Sequence, residues 1–268
     1  MMKFSTVCPI YKDRKQQLFY ALKAYNDQDF DKNEFEVIIV DQGNDENIQE
    51  LFSQYNINIQ YIKVDLSLVG YEGARNPSYA QNVAIKKARG NYIVLTSPEV
   101  CFENLAFKKM NSSVVPNVMK YCSVGECHSL SSEGTYTHQY LLQMMTGIWL
   151  CHPQHRAATF AYFMGVVHKD VLFKINGIDE DFMHGISYED NDFANRIGHV
   201  VLRDFDINIL GMHLDHCRSY QADGIKQQYS RSLLERKQLM TQYQIVANVG
   251  KDWGSDKGII DHIFYDWR

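Results

Sequence analysis

The chain has 268 residues, which suits one domain with extensions or two small ones. Apolar residues make up 45%, enough for a substantial core, so wholesale disorder is excluded. A net charge of −5, with no block of basic residues, gives no global attraction to nucleic acid. The opening MMKFSTVCPIYKDR is too short and too interrupted in its apolar part for a signal peptide. No later run reaches the roughly 18 apolar residues of a membrane span. The expectation is a cytoplasmic chain with no transmembrane segment. Cys8, Cys101, Cys122, Cys127, Cys151 and Cys217 form no regular pairs and read as buried free thiols. Cys122, Cys127, His128, Cys151, His152 and His155 lack any CxxC unit and do not read as a zinc site.

In chain order, FSTVCPI at residues 4–10 is a short apolar strand closed by a proline and the polar turn Tyr11-Lys12-Asp13-Arg14. Leu18, Leu22 and Tyr25 then recur at helical spacing across residues 15–26. FEVIIV at 35–40 is β-branched and apolar on both faces, as in a buried parallel strand, and ends in the polar turn starting at Asp41. Ile48, Leu51, Phe52 and Tyr55 give the stripe of a covering helix. A third strand follows at 57–64, then a glycine-containing loop at 70–77 and a helix at 79–89 stopped by Gly90. The strand YIVLT at 92–96 runs straight into Ser97, Pro98 and Glu99.

This alternation predicts a doubly wound α/β fold with a mostly parallel central sheet flanked by helices. Ligands of such sheets sit beyond the carboxyl ends of the strands. Tyr11, Asp41 and Glu99 are expected to converge there although they are distant in sequence.

Beyond Glu99 the pattern loosens. A short helix is expected at 105–110, a strand at 118–124, an irregular insertion at 129–159, a strand at 160–167 and a short helix at 169–175 before the turn Asn176-Gly177. An acidic cluster, DEDFMHGISYEDND, leads into a helix at 189–197, placing Glu189 and Asp190 in its first turn. Acidic residues there answer the helix macrodipole and on that ground alone need no function. An extended stretch at 199–209 precedes GMHLDH, in which His213 reads as structural. A long charged helix is expected at 225–246. The aromatic tail at 251–268 either packs back or mediates assembly.

Three stretches together carry a family resemblance. TVCPIYKDR, EVIIVDQGND and YAQNVAIKKARGNYIVLTSPEV resemble the nucleotide-binding half of family-two glycosyltransferases with the GT-A fold. NGIDEDF followed by YEDNDFANRI resembles the second half, where a GGFDE-type turn precedes an ED motif. HLDHCRS resembles the late histidine segment of metal-dependent members. The resemblance spans residues 3–220, so the expected organisation is a catalytic domain at 1–220 with a helical extension at 221–268.

The resemblance implies an inverting hexosyltransferase that uses a nucleotide sugar, with UDP the expected nucleotide. It implies an acceptor hydroxyl on a glycan, glycolipid or glycoprotein, as in polysaccharide biosynthesis. Carried over by position, Pro9 and Tyr11 border the base and Asp41 hydrogen-bonds it. Ser97 and Glu99 occupy the DxD positions, and Glu99 binds Mn2+ or Mg2+ together with His216. Asp190 is the catalytic base and Glu189 holds the acceptor. Arg75 and Asn76, in the loop before the third helix, are expected at the diphosphate. The chain departs from the pattern at Ser97, where the first DxD carboxylate is missing. No nucleophile constellation such as GxSxG is present, which agrees with single-step inversion.

Two other readings stay open. A nucleotidyltransferase shares the sheet and acidic ligands but carries a glycine- and basic-rich loop after the first strand, which Pro9-Ile10-Tyr11 is not. A degenerate module would bind nucleotide sugar or glycan without turnover. A homo-oligomer through the C-terminal extension is a further expectation.

Overall fold

The computed structural model describes residues 2–43, 47–71, 76–153, 161–216, 224–240 and 243–266. Arg75, the turn at Asn44-Asp45, His155 and Cys217 lie outside the described residues.

The apolar runs become β1 (Phe4–Ile10), β2 (Phe35–Asp41), β3 (Asn58–Val64) and β4 (Tyr92–Leu95). Every residue of β1, β2 and β4 is buried, as two-sided packing requires. They pair in parallel in the order β3-β2-β1-β4. The helices α1 (Lys15–Asn26) and α2 (Ser78–Lys87) connect strands of this half. The helix expected around Leu51 is a single 3-10 segment, Gln49–Gln54.

The sheet continues through β8 (Gly165–His168), β6 (Val118–Cys127), β9 (Leu202–Leu214) and β5 (Val100–Phe102), while β10 (Ile259–Tyr265) joins at the far edge and β7 (Trp149–Cys151) pairs with β6. Antiparallel pairing enters where β4 meets β8 and recurs at β5–β9, β6–β7, β6–β8 and β3–β10. β1, β2, β3, β4, β6 and β9 share one direction, so the sheet is mostly but not purely parallel.

Several expectations are corrected here. Residues 161–164 form the helical turn α5 (Ala161–Met164) rather than the start of a strand. The irregular insertion contains α4 (His138–Met144) and β7. The extended stretch expected at 199–209 is β9 and runs on through His213 to Leu214. The long C-terminal helix stops early, as α8 (Gly224–Gln238), and the tail supplies β10. The turn Asn176-Gly177 is as expected: φ is +54° and +64°, and a Cβ on Gly177 would lie 2.3 Å from the Asn82 side chain.

The remaining helices are α3 (Ala106–Ser113), α6 (Lys169–Lys174) and α7 (Glu189–Ile197). The core lies on both faces of the sheet. On one, Phe107 of α3 packs against Phe4, Tyr25, Phe35 and Phe102 with ring centroids 4.6–6.5 Å apart. Cys8, Cys101, Cys122, Cys127 and Cys151 are buried free thiols. No helix among the described residues is long and apolar enough to cross a membrane.

Candidate active site

The carboxyl ends of β1, β2 and β4 lie on one edge, with Ile10 level with Asp41. Beside them opens a cavity of about 450 Å³. Its walls include Pro9 near the end of β1, Tyr11 and Arg14 after it, Gln42 after β2, and Ser97 and Glu99 after β4. Tyr162, Glu189, Asp190, His213 and His216 also line it.

Glu99 reaches this position because β5 pairs with β9: Val100 is level with His213, and the Leu214 N–H donates to the Glu99 carbonyl at 2.8 Å. The clamp sets the imidazole of His213 beside the Glu99 carboxylate, and His216 follows two residues past the strand. Among the described residues Glu99, His213 and His216 each bring one ligand atom to within 4.8 Å of the others. One carboxylate and two imidazoles form a donor set that fits a divalent cation. Burial alone would raise the Glu99 carboxyl; the neighbouring His216, His213 and Arg14 side chains outweigh it and hold it below its ordinary value. The Arg14 guanidinium touches the same set: its Nε donates to Glu99 Oε1 at 2.6 Å and its Nη2 to His216 Nδ1 at 3.0 Å.

Glu189 and Asp190 open α7 after Ser187 and Tyr188, whose φ of +63° and +71° are both left-handed. Side chains other than glycine take that conformation at a cost of order 1–3 kcal/mol each, and such strain concentrates at functional sites. The turn points the first residues of α7 at the cavity. Glu189 is buried, and its Oε2 accepts from Asn76 Nδ2 at 2.7 Å. Asp190 Oδ1 accepts from the Asn191 N–H at 2.8 Å. Burial, then the neighbouring Asp190 charge, pushes Glu189 up to about 8; burial pushes Asp190 up to about 6. The two adjacent carboxyls titrate as a pair, and burial holds that pair above the ordinary carboxylate range.

The remaining expected residues divide. Pro9, Tyr11 and Ser97 line the cavity. Asp41 stands one residue behind the wall, where its carboxylate accepts from Tyr61 Oη at 2.7 Å and the Gly43 N–H at 3.0 Å, and its neighbour Gln42 faces the cavity. Asn76 is buried; its Oδ1 accepts from the Ser78 N–H at the start of α2, and its carbonyl accepts from Gln42 at 3.2 Å. It therefore ties the β2 turn to Glu189.

Sequence reasoning missed Arg14, Gln42, Gln81 and Tyr162, and undervalued His213. Arg14 sits in the polar turn after β1, and nothing local marks an arginine that reaches 85 residues on to Glu99. Tyr162 and Gln81 carry a different signal. The Tyr162 hydroxyl and Gln81 Oε1 are buried in the cavity wall with no hydrogen-bond partner among the described residues. Buried polar atoms are normally satisfied, so a wall that carries such atoms is shaped for a polar ligand.

No family model matches the chain. In sequence it is similar to TarS of Staphylococcus aureus (strain Mu50 / ATCC 700699), a poly(ribitol-phosphate) beta-N-acetylglucosaminyltransferase, at 29% identity over 101 residues; the match covers 37% of this chain and 16% of the relative. In structure it resembles S. aureus TarS 1-349 in complex with UDP-GlcNAc, at a TM-score of 0.58 and 14% identity over 83% of this chain and 61% of that one. It also resembles the mannosyltransferase PcManGT from Pyrobaculum calidifontis in complex with GDP-Man and Mn2+, at a TM-score of 0.55 and 14% identity over 82% and 59%. At such identity the structural likeness is one of fold: mixed α/β with a large central sheet.

Proposed function

We propose that this chain is a metal-dependent, inverting glycosyltransferase of family two with the GT-A fold. It takes a sugar from a UDP-sugar to a hydroxyl of a glycan, glycolipid or glycoprotein acceptor. The observation that carries this reading is one cavity at the strand ends, walled on one side by Glu99, His213 and His216 and on another by Glu189 and Asp190. Similarity to proteins named as glycosyltransferases supports it.

Pro9, Tyr11 and Gln42 border the nucleotide, and Asp41 holds the Gln42 turn from behind. Glu99, His213 and His216 hold the divalent cation, with manganese the best match to mixed carboxylate and imidazole donors. When bound, the ion supplies Lewis-acid compensation for charge on the departing diphosphate, worth several kcal/mol. Asp190, ionised, takes the proton of the attacking acceptor hydroxyl, a contribution on the order of 10²–10⁴ in rate. Glu189, held protonated, donates to an acceptor oxygen while Asn76 fixes its other oxygen. The Tyr162 hydroxyl and Gln81 side chain offer hydrogen bonds to sugar hydroxyls. Attack from the Asp190 side, opposite the leaving diphosphate, inverts the anomeric centre.

The test is thermal melting with nucleotides, followed by a screen of nucleotide sugars for released nucleoside diphosphate. UDP with Mn2+ at 100 times its dissociation constant stabilises by about 2.7 kcal/mol. Asp190→Asn is expected to keep that shift and lose transfer by at least about 10². Absence of a shift with every nucleoside diphosphate, with and without metal, overturns the reading. A shift without turnover on any donor leaves the binding-only module in its place.

A further inference from the structure

We propose that Arg14 is a tethered cation that competes with the divalent ion for His216 and Glu99, so that the two are alternative occupants of one donor set. The inference rests on the metal-dependent reading above and adds a residue and a linkage to it.

A guanidinium carries five N–H donors and no lone pair. At 3.0 Å, Arg14 Nη2 therefore donates, and His216 Nδ1 accepts with its lone pair. A neutral imidazole has one lone pair; with Nδ1 accepting, the ring proton is on Nε2. That Nε2 faces Glu99, 3.7 Å from Oε1, and in this tautomer offers a metal nothing. His216 can ligate an ion only when Arg14 lets go. Glu99 Oε1, 2.6 Å from Arg14 Nε, is committed to the same guanidinium. A carboxylate has lone pairs to spare, but a divalent ion on it would sit within a few ångströms of a fixed positive charge in a largely buried site. Both contacts oppose simultaneous occupancy.

The place of Arg14 in the fold gives the guanidinium somewhere to go. Its backbone is held in the tight turn after β1, where the Arg14 N–H donates to the Lys12 carbonyl at 2.6 Å and Lys12 has φ +47°. Its stem is long, its side chain is 15% exposed, and it lines the cavity beside Lys12. A head released from His216 can turn into the cavity with the backbone unchanged. An anionic diphosphate there pairs with it. Metal and nucleoside diphosphate then strengthen each other's binding: the diphosphate holds the guanidinium that the ion must displace. By linkage the strengthening is equal in both directions.

The experiment is titration of Mn2+ into the full chain, following free Mn2+ by electron paramagnetic resonance, without and with saturating UDP. Wild type, Arg14→Met and Arg14→Lys are compared, with folding checked by circular dichroism. In the absence of UDP, Arg14→Met is expected to bind Mn2+ at least tenfold more tightly than wild type, with Arg14→Lys between them. UDP is expected to tighten Mn2+ binding severalfold in wild type and much less in Arg14→Met. Should Arg14→Met fail to fold, Arg14→Gln makes the same neutral comparison. Mn2+ binding to the neutral variant no tighter than to wild type, or no Mn2+ binding by either, overturns the exchange. Tighter Mn2+ binding by Arg14→Met in a protein that binds no nucleoside diphosphate upholds the exchange and removes the nucleotide-sugar reading instead.

Discussion

Two adjacent carboxyls, Glu189 and Asp190, share one turn of helix and differ in what surrounds them. Glu189 is buried and tied to Asn76; Asp190 faces the cavity. Both are raised above their ordinary values, so each binds protons more readily in the folded chain than in the unfolded one. Their contribution to stability is therefore present at low pH and is lost as pH rises from about 4 through about 8. Melting curves from pH 5 to 9 should show Tm falling across that interval, and Glu189→Gln should flatten the fall and raise Tm at pH 8 by several degrees. For transfer, kcat/KM is expected to rise through about pH 6 as Asp190 ionises and to decline near pH 8 as Glu189 does. Glu189→Gln, which keeps a donor, should lose the decline and retain the rise. The orphan hydroxyl of Tyr162 makes a cleaner test of the cavity wall. Tyr162→Phe removes a group with no hydrogen-bond partner among the described residues, so stability should not fall. A lost hydrogen bond to a sugar hydroxyl should lower kcat/KM by about tenfold, roughly 1.4 kcal/mol, with the UDP-induced Tm shift unchanged.

The helix α7 carries both carboxyls, and its buried side is pinned from below. Arg196 Nε donates to Asp192 Oδ2 at 2.6 Å, and its Nη1 donates to the Gly177 carbonyl at 2.9 Å. Both side chains are essentially inaccessible, and Tyr243 Oη donates to the other Asp192 oxygen at 2.7 Å. Removing one partner of such a pair strands a buried charge. Arg196→Met is expected to cost about 3–5 kcal/mol in urea unfolding. The double variant Asp192→Asn, Arg196→Met should recover part of that loss; equal or greater loss would mean that the backbone contacts of Arg196, not its charge, hold the helix. The expected boundaries of this helix agree with the structure because an acidic start and inward Phe193 and Ile197 are local features. The neighbouring elements were less legible. β5 is three residues long, too short to show alternation, yet its pairing with β9 is what brings Glu99 to His213.

Across the molecule, the parallel half of the sheet ends at β3, and β10 covers that edge. Phe52 packs on Tyr265 at 5.1 Å, and Tyr265 Oη donates to Gln49 at 2.9 Å. Truncation before Ile259 should expose the unpaired edge of β3, lower Tm and promote concentration-dependent association detectable by light scattering. The candidate metal donor set, Glu99, His213 and His216, lies across β2 and β1, beyond this edge. Mn2+ affinity per folded molecule should therefore survive the truncation, and its loss would show that the edge strand and the cavity are coupled.

What the chain's own letters established is the alternation of two-sided apolar strands and amphipathic helices, the polar turns at the strand ends, and the acidic start of α7. Each is a short-range property, set by side-chain period and backbone preference within a dozen residues. From these the strand-end edge, with Tyr11 and Glu99 at it, could be anticipated; Asp41, expected beside them, stands one residue behind the wall, and Asp190 was placed there only by the family resemblance. The partners of those residues could not. Arg14 bonds to Glu99 and His216 across 85 and 202 positions, and Asn76 bonds to Glu189 across 113. Such contacts depend on strand order and register, which are settled by burying all the apolar faces at once, and no local pattern records that joint solution.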